Sequence, residues 1–424
     1  MSEHESGPCT EVAIVGGGPA GLALSYHLKA IDCDHIVLEQ GHLAEHWRSK
    51  RWDSLRLVAP NWHFRLPGLP YCGDDPDGFM GRDEVVARLE EYARTFALPV
   101  RCGVRVAALA PQPDGRGYQL TTSAGPIAAR QVIIATGAYR TPRLPAIRDD
   151  LPPDLHQLHA SDYHCPTQLP PGAVLVVGSG ESGCQIADEL RRAGRSVYLA
   201  VGRSFWLPRR YRGRDCIAWL MNMGAFVQTV DSLPAGHASG APPGPQLTGQ
   251  DGGRDLNLHT LARAGVSLLG RLQGIRGHTL AFATDLHERI AAGDAAAADF
   301  CAAVDEHLRV SGVAAPPQHP PRYAEAYAAA SASTLDIAAA GITTLIWATG
   351  YRPDFGWLKL PICDAQGYPI QRRGVAPYRG LYFLGLEWQH SAQSHIFPGL
   401  GDDAAYLAPL IAAGARHGWA ITAD

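Results

Sequence analysis

The sequence predicts an α/β protein made of two Rossmann-like dinucleotide-binding domains, the second inserted in the first. Three observations lead there. A strand–glycine–helix unit occurs near the amino terminus and again about 160 residues later. Each unit runs into a second strand that ends in a charged residue. Each is matched by a distant apolar strand that closes on Ala-Thr-Gly. The expected division is 1–148 for the first half of one domain, 149–344 for the second domain with a partly helical insert at 204–335, and 345–424 for the return to the first.

In the first unit, Val12-Ala13-Ile14-Val15 is a short buried strand followed by Gly16, Gly18 and Gly21 at G-x-G-x-x-G spacing, with Pro19 and Ala20 between. Gly16 permits the tight turn, Gly18 lets backbone approach a diphosphate, and Gly21 lets the helix pack on the strand. That helix, Leu22 to Ala30, aims its amides and positive dipole end at the phosphates. A second strand, His35–Leu38, ends in Glu39, 18 residues after Gly21. An acid there accepts from a ribose hydroxyl and repels a 2'-phosphate, which favours FAD or NAD.

The second unit starts at Val174–Val177 and gives Gly178, Gly180 and Gly183, with Glu181 and Ser182 inside the turn. Ile186 and Leu190 place a helix after it. The strand Val197–Val201 leads to Gly202-Arg203-Ser204, and Arg203 lies 20 residues after Gly183. A cation at that point pairs with a 2'-phosphate, so this site favours NADPH; Arg210, in the arginine-rich run that follows, is a further candidate. One FAD site and one NADPH site imply flavin reduction. Ala135-Thr136-Gly137 and Ala348-Thr349-Gly350-Tyr351 are expected where the chain crosses between the domains, with small residues close to nucleotide.

Other elements follow from local pattern. Asp83 is placed as the cap of a helix over 84–96 with Val85, Leu89, Tyr92 and Phe96 as its buried stripe. Tyr118–Thr122 and Ile127–Arg130 form a hairpin around Ala124-Gly125. Pro234 to Gln250 is expected as a loop and Leu286 to Val310 as an Ala-rich helix that caps the substrate site or mediates dimerisation.

Composition narrows the function. The chain has 424 residues, 46% of them hydrophobic and 18% charged, with 37 Lys and Arg against 41 Asp and Glu. That is a globular balance, and a net charge of -4 argues against nucleic acid as a partner. Met1 to Thr10 does not read as a signal peptide and no apolar run of transmembrane length occurs, so a cytoplasmic protein is expected. The nine cysteines make no C-x-x-C pair, which leaves no metal site and no redox dithiol.

These motifs, with HWRSKRWDSLRL, ATGAYRTPRLP, HASDY, PRRYRGRD, WATGYRPDF and LYFLGLEW, resemble the flavin-containing monooxygenase superfamily, in particular its bacterial flavoprotein branch with a K+-transport label. The resemblance implies a single-component FAD- and NADPH-dependent monooxygenase. It would activate O2 as a C4a-hydroperoxyflavin and oxygenate a nucleophilic nitrogen or sulfur of a small metabolite. An NADPH oxidase or dehydrogenase and a non-enzymatic flavoprotein regulator are the alternatives, and a homodimer is left open. In the superfamily fingerprint F-x-G-x-x-x-H-x-x-x-[WYF], His159 and Tyr163 fit, while Pro153 and Leu155 replace the Phe and Gly. The resemblance also puts Trp47 and Arg48 beside the flavin, and Asn61 near its N5 and C4a as a neutral hydrogen-bond donor. Gly385 ends a strand that reaches the flavin, Gly401 begins a helix aimed at its pyrimidine, and His390 and His395 are candidate substrate contacts.

Overall fold

A computed structural model describes residues 9–233, 244–330 and 332–416. Most of the expected loop at 234–250 and the amino-terminal stretch read for a signal peptide lie outside the described residues.

The first sheet forms around the first glycine unit. Its strands are β1 (Cys9–Val15), β2 (His35–Leu38), β3 (Val100–Arg101), β4 (Val106–Pro111), β5 (Tyr118–Thr122) and β6 (Gly125–Ile134), in the order β3-β2-β1-β6-β5-β4. The helices α1 (Pro19–Ala30), α2 (Glu45–Ser49) and α3 (Arg82–Thr95) belong to the same stretch. β1 pairs in parallel with β2 and β6, so it is central, and its apolar run Val12–Val15 is buried. The expected hairpin β5–β6 forms, turning at Ser123-Ala124, one residue earlier than expected, because Gly125 already pairs with Thr122. The cap of α3 differs: Gly81 is the N-cap, and Glu84 at the third helical position reaches back to its amide (2.7 Å), while Asp83 sits in the first turn facing solvent and binds Arg82.

A short strand β7 (Thr141–Pro142) follows the first crossing. The second sheet is wholly parallel, with β8 (His156–His159), β9 (Ala173–Val177), helix α4 (Glu181–Arg192) and β10 (Val197–Ala200). The chain then leaves the sheet as β11 (Arg210–Tyr211), β12 (Arg214–Asp215), α5 (Cys216–Asn222) and α6 (Leu258–Arg263). It rejoins at β13 (Ser267–Leu269), which pairs with β10. The stretch expected as an insert over 204–335 therefore also supplies a sheet strand. A small antiparallel sheet, β14 (Leu272–Arg276), β15 (Thr279–Phe282) and β16 (Thr334–Asp336), encloses α7 (Leu286–Ser311) in sequence. α7 buries Ile290, Gly293, Ala297, Phe300, Cys301 and Val304. Phe300, Cys301 and Val304 pack on Leu207, Tyr211 and Trp219, while most of the helix's alanines face solvent.

β17 (Ile342–Trp347) completes the second sheet in the order β13-β10-β9-β17-β8. β18 (Tyr351–Arg352) follows the second crossing, β19 (Leu381–Phe383) returns to the first sheet beside β6, and α8 (Phe397–Arg416) packs on α1. The two crossings are tied together, because β7 and β18 pair antiparallel, Tyr351 opposite Pro142.

The glycine turns are close copies. Gly16 has φ +119° and a Cβ on it would lie 2.4 Å from the Ala135 carbonyl; Gly178 has φ +110° and the same 2.4 Å from that of Ala348. A Cβ on Gly21 would lie 2.0 Å from the Gly16 carbonyl, and one on Gly183 1.9 Å from that of Gly178. At Gly18 and Gly180 such a Cβ meets nothing within 4 Å. The two classes of glycine predict different outcomes. Gly21→Ala and Gly183→Ala should each cost about 1–3 kcal/mol or more, by forcing a methyl group into backbone. Gly18→Ala should leave the thermal midpoint of the cofactor-free chain nearly unchanged. Circular-dichroism melts of the three variants check this.

Candidate functional site

The open faces at Gly18 and Gly180 define two cradles. In the first, the turn from β1 to α1 presents backbone amides with no side chain above them, at the positive end of α1. Pro19 starts that helix, where its missing N–H is no loss, and Ala20 packs on it: a Cβ on Gly385 (φ +85°) would come within 3.1 Å of the Ala20 methyl. Glu39, at the end of β2, is buried; its carboxylate accepts from the Gly17 amide (2.8 Å) and the Gly41 amide (3.1 Å). A side chain on Gly17 would meet the Glu39 Cβ at 2.8 Å. Gly17 is thus a required position that glycine spacing leaves free, and the triple glycine is its only sequence signal.

The second cradle runs from β9 to α4. Ser179 donates to the Arg203 carbonyl (2.5 Å), so the strand end that carries Arg203 is fixed to the turn. The Arg203 side chain is exposed and makes no ion pair among the described residues. Ser204 instead packs on α7, where a Cβ on Gly293 would meet its Oγ at 2.3 Å. Arg210 is also redirected: its guanidinium donates to the carbonyls of Gly253 (2.6 Å) and Gly252 (2.8 Å) and braces the excursion between β10 and β13.

A cavity of about 330 Å³ opens along the two crossings, lined by Thr136, Gly137, Tyr139, Gly350, Tyr351 and Glu387 among others. His159 holds one wall, with Nε2 3.1 Å from the Gly350 carbonyl and Nδ1 accepting from the Ser161 amide (3.1 Å). Tyr163 donates to Glu189 (3.0 Å), which Ser54 of the first domain also reaches (2.7 Å). The H-x-x-x-Y pair thus fastens the crossing and α4. An open groove of about 560 Å³ elsewhere, near Arg254, Arg263 and Tyr323, holds only charges already partnered: Arg254 with Asp188 and Asp251, Arg263 with Glu325.

An aromatic wall stands beside the first cradle. Phe397, the first residue of α8, stacks with Trp47 (centroids 6.0 Å apart) and touches Phe64 (4.2 Å). α8 therefore starts four residues before Gly401, which lies inside it and faces Pro67. Arg48 points away from this wall; it pairs with Glu90 on α3 and donates to the Leu43 carbonyl. The arginine in the cleft is Arg51, which spacing did not single out. Its guanidinium lies 5.5 Å from the Trp47 centroid and 5.8 Å from that of Tyr139. Its place two residues past the end of α2, four after Trp47, carries no periodic signal.

Asn61 is buried, but its amide nitrogen donates to the Asp75 carbonyl (2.9 Å), and the atom left without a partner is Oδ1. The expected donor is thus already engaged and an acceptor remains. His390 contributes backbone: its carbonyl accepts from Val230 (2.8 Å), beside Ala392 donating to Gln228 (3.0 Å). The segment at 225–232 thereby crosses onto the carboxy-terminal loop and sets Phe226 against His63 (5.3 Å). His395 faces inward, 6.3 Å from the Tyr139 ring, and its Nδ1 is buried without a partner.

Burial sets the charges here. It lowers the pKa of His395 against the pull of Glu387, and lowers His63 to about 4 with help from Arg65. Burial also raises the Tyr139 phenol, which donates to Glu387 (2.7 Å), and raises the Glu181 carboxyl to about 7 against Arg51 and Arg209. All nine cysteines are free thiols, and the described residues contain no cluster of metal ligands and no helix long and apolar enough to cross a membrane.

Residues 13–220 match the pyridine nucleotide-disulphide oxidoreductase family. A CzcO-like oxidoreductase of Geobacillus kaustophilus is 31% identical over 400 residues, 94% of this chain and 97% of that one. Indole-3-pyruvate monooxygenase YUCCA1 of Oryza sativa subsp. japonica is 32% identical over 236 residues, 53% of this chain and 57% of its own. A flavin-containing monooxygenase from Stenotrophomonas maltophilia has the same fold, with a TM-score of 0.60 over 96% of this chain and 99% of that one at 19% identity. The two cradles and the near-complete match to the Geobacillus protein agree. The chain belongs to the CzcO-like oxidoreductases.

Proposed function

We propose that this protein is a single-component monooxygenase that uses NADPH and O2 to oxygenate a nucleophilic nitrogen or sulfur of a small metabolite. The observation that carries the reading is the pair of open glycine cradles, each packed against one of the two crossings that line a single cavity, in a chain with no C-x-x-C dithiol to receive electrons. We assign 1–148 and 345–424 to the FAD domain and 149–344 to the NADPH domain.

When bound, FAD supplies two-electron reduction by NADPH and activation of O2. The chain's own residues position and protect that chemistry. The amides around Gly18 take the flavin nucleotide's diphosphate, and Glu39 accepts from its ribose. Trp47, Phe64 and Phe397 wall the ring end against water, which would otherwise drain reducing power into hydrogen peroxide. Arg203, exposed and unpaired, takes the 2'-phosphate of NADPH. His395, kept neutral by burial and with Nδ1 free, accepts a hydrogen bond from substrate or holds its proton.

Three outcomes are expected. Gly18→Val should fold yet purify without flavin, because the new side chain fills the diphosphate's place; full yellow occupancy would contradict the cradle. Arg203→Ala should raise the KM for NADPH about ten- to hundred-fold, the worth of one charge-assisted contact, and leave NADH nearly unchanged. Wild type turning over NADPH with amines and thioethers should convert part of the NADPH into oxygenated product. If all of it appears as peroxide whatever is offered, the protein is an oxidase.

A further inference from the structure

Glu181 is in an electrostatically odd place. It is the first residue of α4, directly after Gly180, at the helix end where the second dinucleotide's diphosphate belongs. Anions are welcome at such an end, but a carboxylate fixed there competes with the diphosphate for the same amides. Among the described residues its carboxyl has no hydrogen-bond or ion-pair partner, although protein surrounds it and its side chain keeps only part of its exposure. Arg51 is its counterpart. That cation lies between the rings of Trp47 and Tyr139, faces Tyr351 and makes no ion pair among the described residues. Arg209, the other cation facing Glu181, is committed to Asp215 (2.7 Å) and to the Val58 carbonyl (2.6 Å). At the first turn of α4, an acid without a partner among the described residues thus faces a cation without an ion pair among them.

We propose that these two residues form a proton-coupled latch for the coenzyme: Arg51 becomes the counter-charge of the NADP(H) diphosphate, and Glu181 takes up one proton from solvent as the coenzyme binds. This rests on the reading that the second cradle holds NADP(H). The groups facing Glu181 are Arg51, Arg209, the Tyr139 phenol and the Cys184 thiol. Burial raises both the phenol and the thiol, so neither ionises near neutrality and the acid is the group that titrates. Its pKa, already pushed up to about 7 by burial, rises further when a diphosphate arrives beside it. The complex therefore binds more protons than the free enzyme. Affinity is full below about pH 7 and falls as pH rises between the free and bound values, by at most tenfold per unit for one proton.

The test titrates FAD-loaded enzyme with NADP+ between pH 6 and 9, wild type beside Glu181→Gln. The coenzyme's 2'-phosphate titrates near pH 6 in both and cancels in the comparison. Wild-type Kd should climb at least about fivefold more steeply than that of Glu181→Gln from pH 6.5 to 8.5, and Arg51→Met should weaken binding at every pH while keeping the slope. Equal slopes in wild type and Glu181→Gln overturn the proposal. Calorimetry of wild type in two buffers of different ionisation heat needs no variant. It should show proton uptake with NAD+ as well as NADP+ above pH 7, since the diphosphate is common to both, and its absence also overturns the proposal. No binding of either coenzyme at any pH, with FAD retained, would fell the dinucleotide reading itself.

Discussion

Everything in this protein depends on how closely two carbonyl groups approach two glycines. Ala135 and Ala348 end the strands that cross between the sheets, and each sets its oxygen where the Cβ of Gly16 or Gly178 would be. With no side chain in the way, the crossing strand lies directly against the dinucleotide turn. That contact fixes the helix behind the turn through Gly21 or Gly183, and leaves the middle glycine facing open space. The fold makes this arrangement twice, so both cradles sit at corresponding strand ends, each against one of the crossings that line the cavity.

The glycine units were legible because their rule is local. Spacing, a buried strand before and a helix after all lie within about ten residues, and steric exclusion permits few other residues there. β1, β2, β9 and β10 fall where the apolar runs put them, and α7 covers Leu286–Ser311 as its composition suggests. The residues that went astray owe their roles to partners far along the chain. Arg48 finds Glu90, 42 residues away, and Arg210 finds Gly252, also 42 away. Asn61 spends its donor on Asp75. A basic or amide side chain carries little directional information in sequence, and whichever carbonyl or carboxylate the tertiary fold brings near claims it. Arg51 was hidden for the converse reason: its slot is built from Trp47 and from Tyr139, which the first crossing delivers from 88 residues away.

The cleft is a place of suppressed charge. His63 and His395 are pushed toward neutrality by burial, and so is the Tyr139 phenol. Neutral groups hydrogen-bond without donating protons readily, which suits chemistry that proton delivery would short-circuit. Burial also raises the Glu181 carboxyl to about 7, and Arg51, which faces it, is the exception.

The pairing of β7 with β18 also has a mechanical meaning. Two separate covalent strands usually let two bodies slide, twist and part independently. Here Arg352 faces Thr141 and Tyr351 faces Pro142 in a two-stranded ribbon, and Arg143 donates to Gly350 (2.9 Å), so the strands move as one. A ribbon resists stretching and in-plane shear but bends across its face. The ribbon therefore ties the two crossings, and with them the opposite walls of the cavity they line, directly to each other.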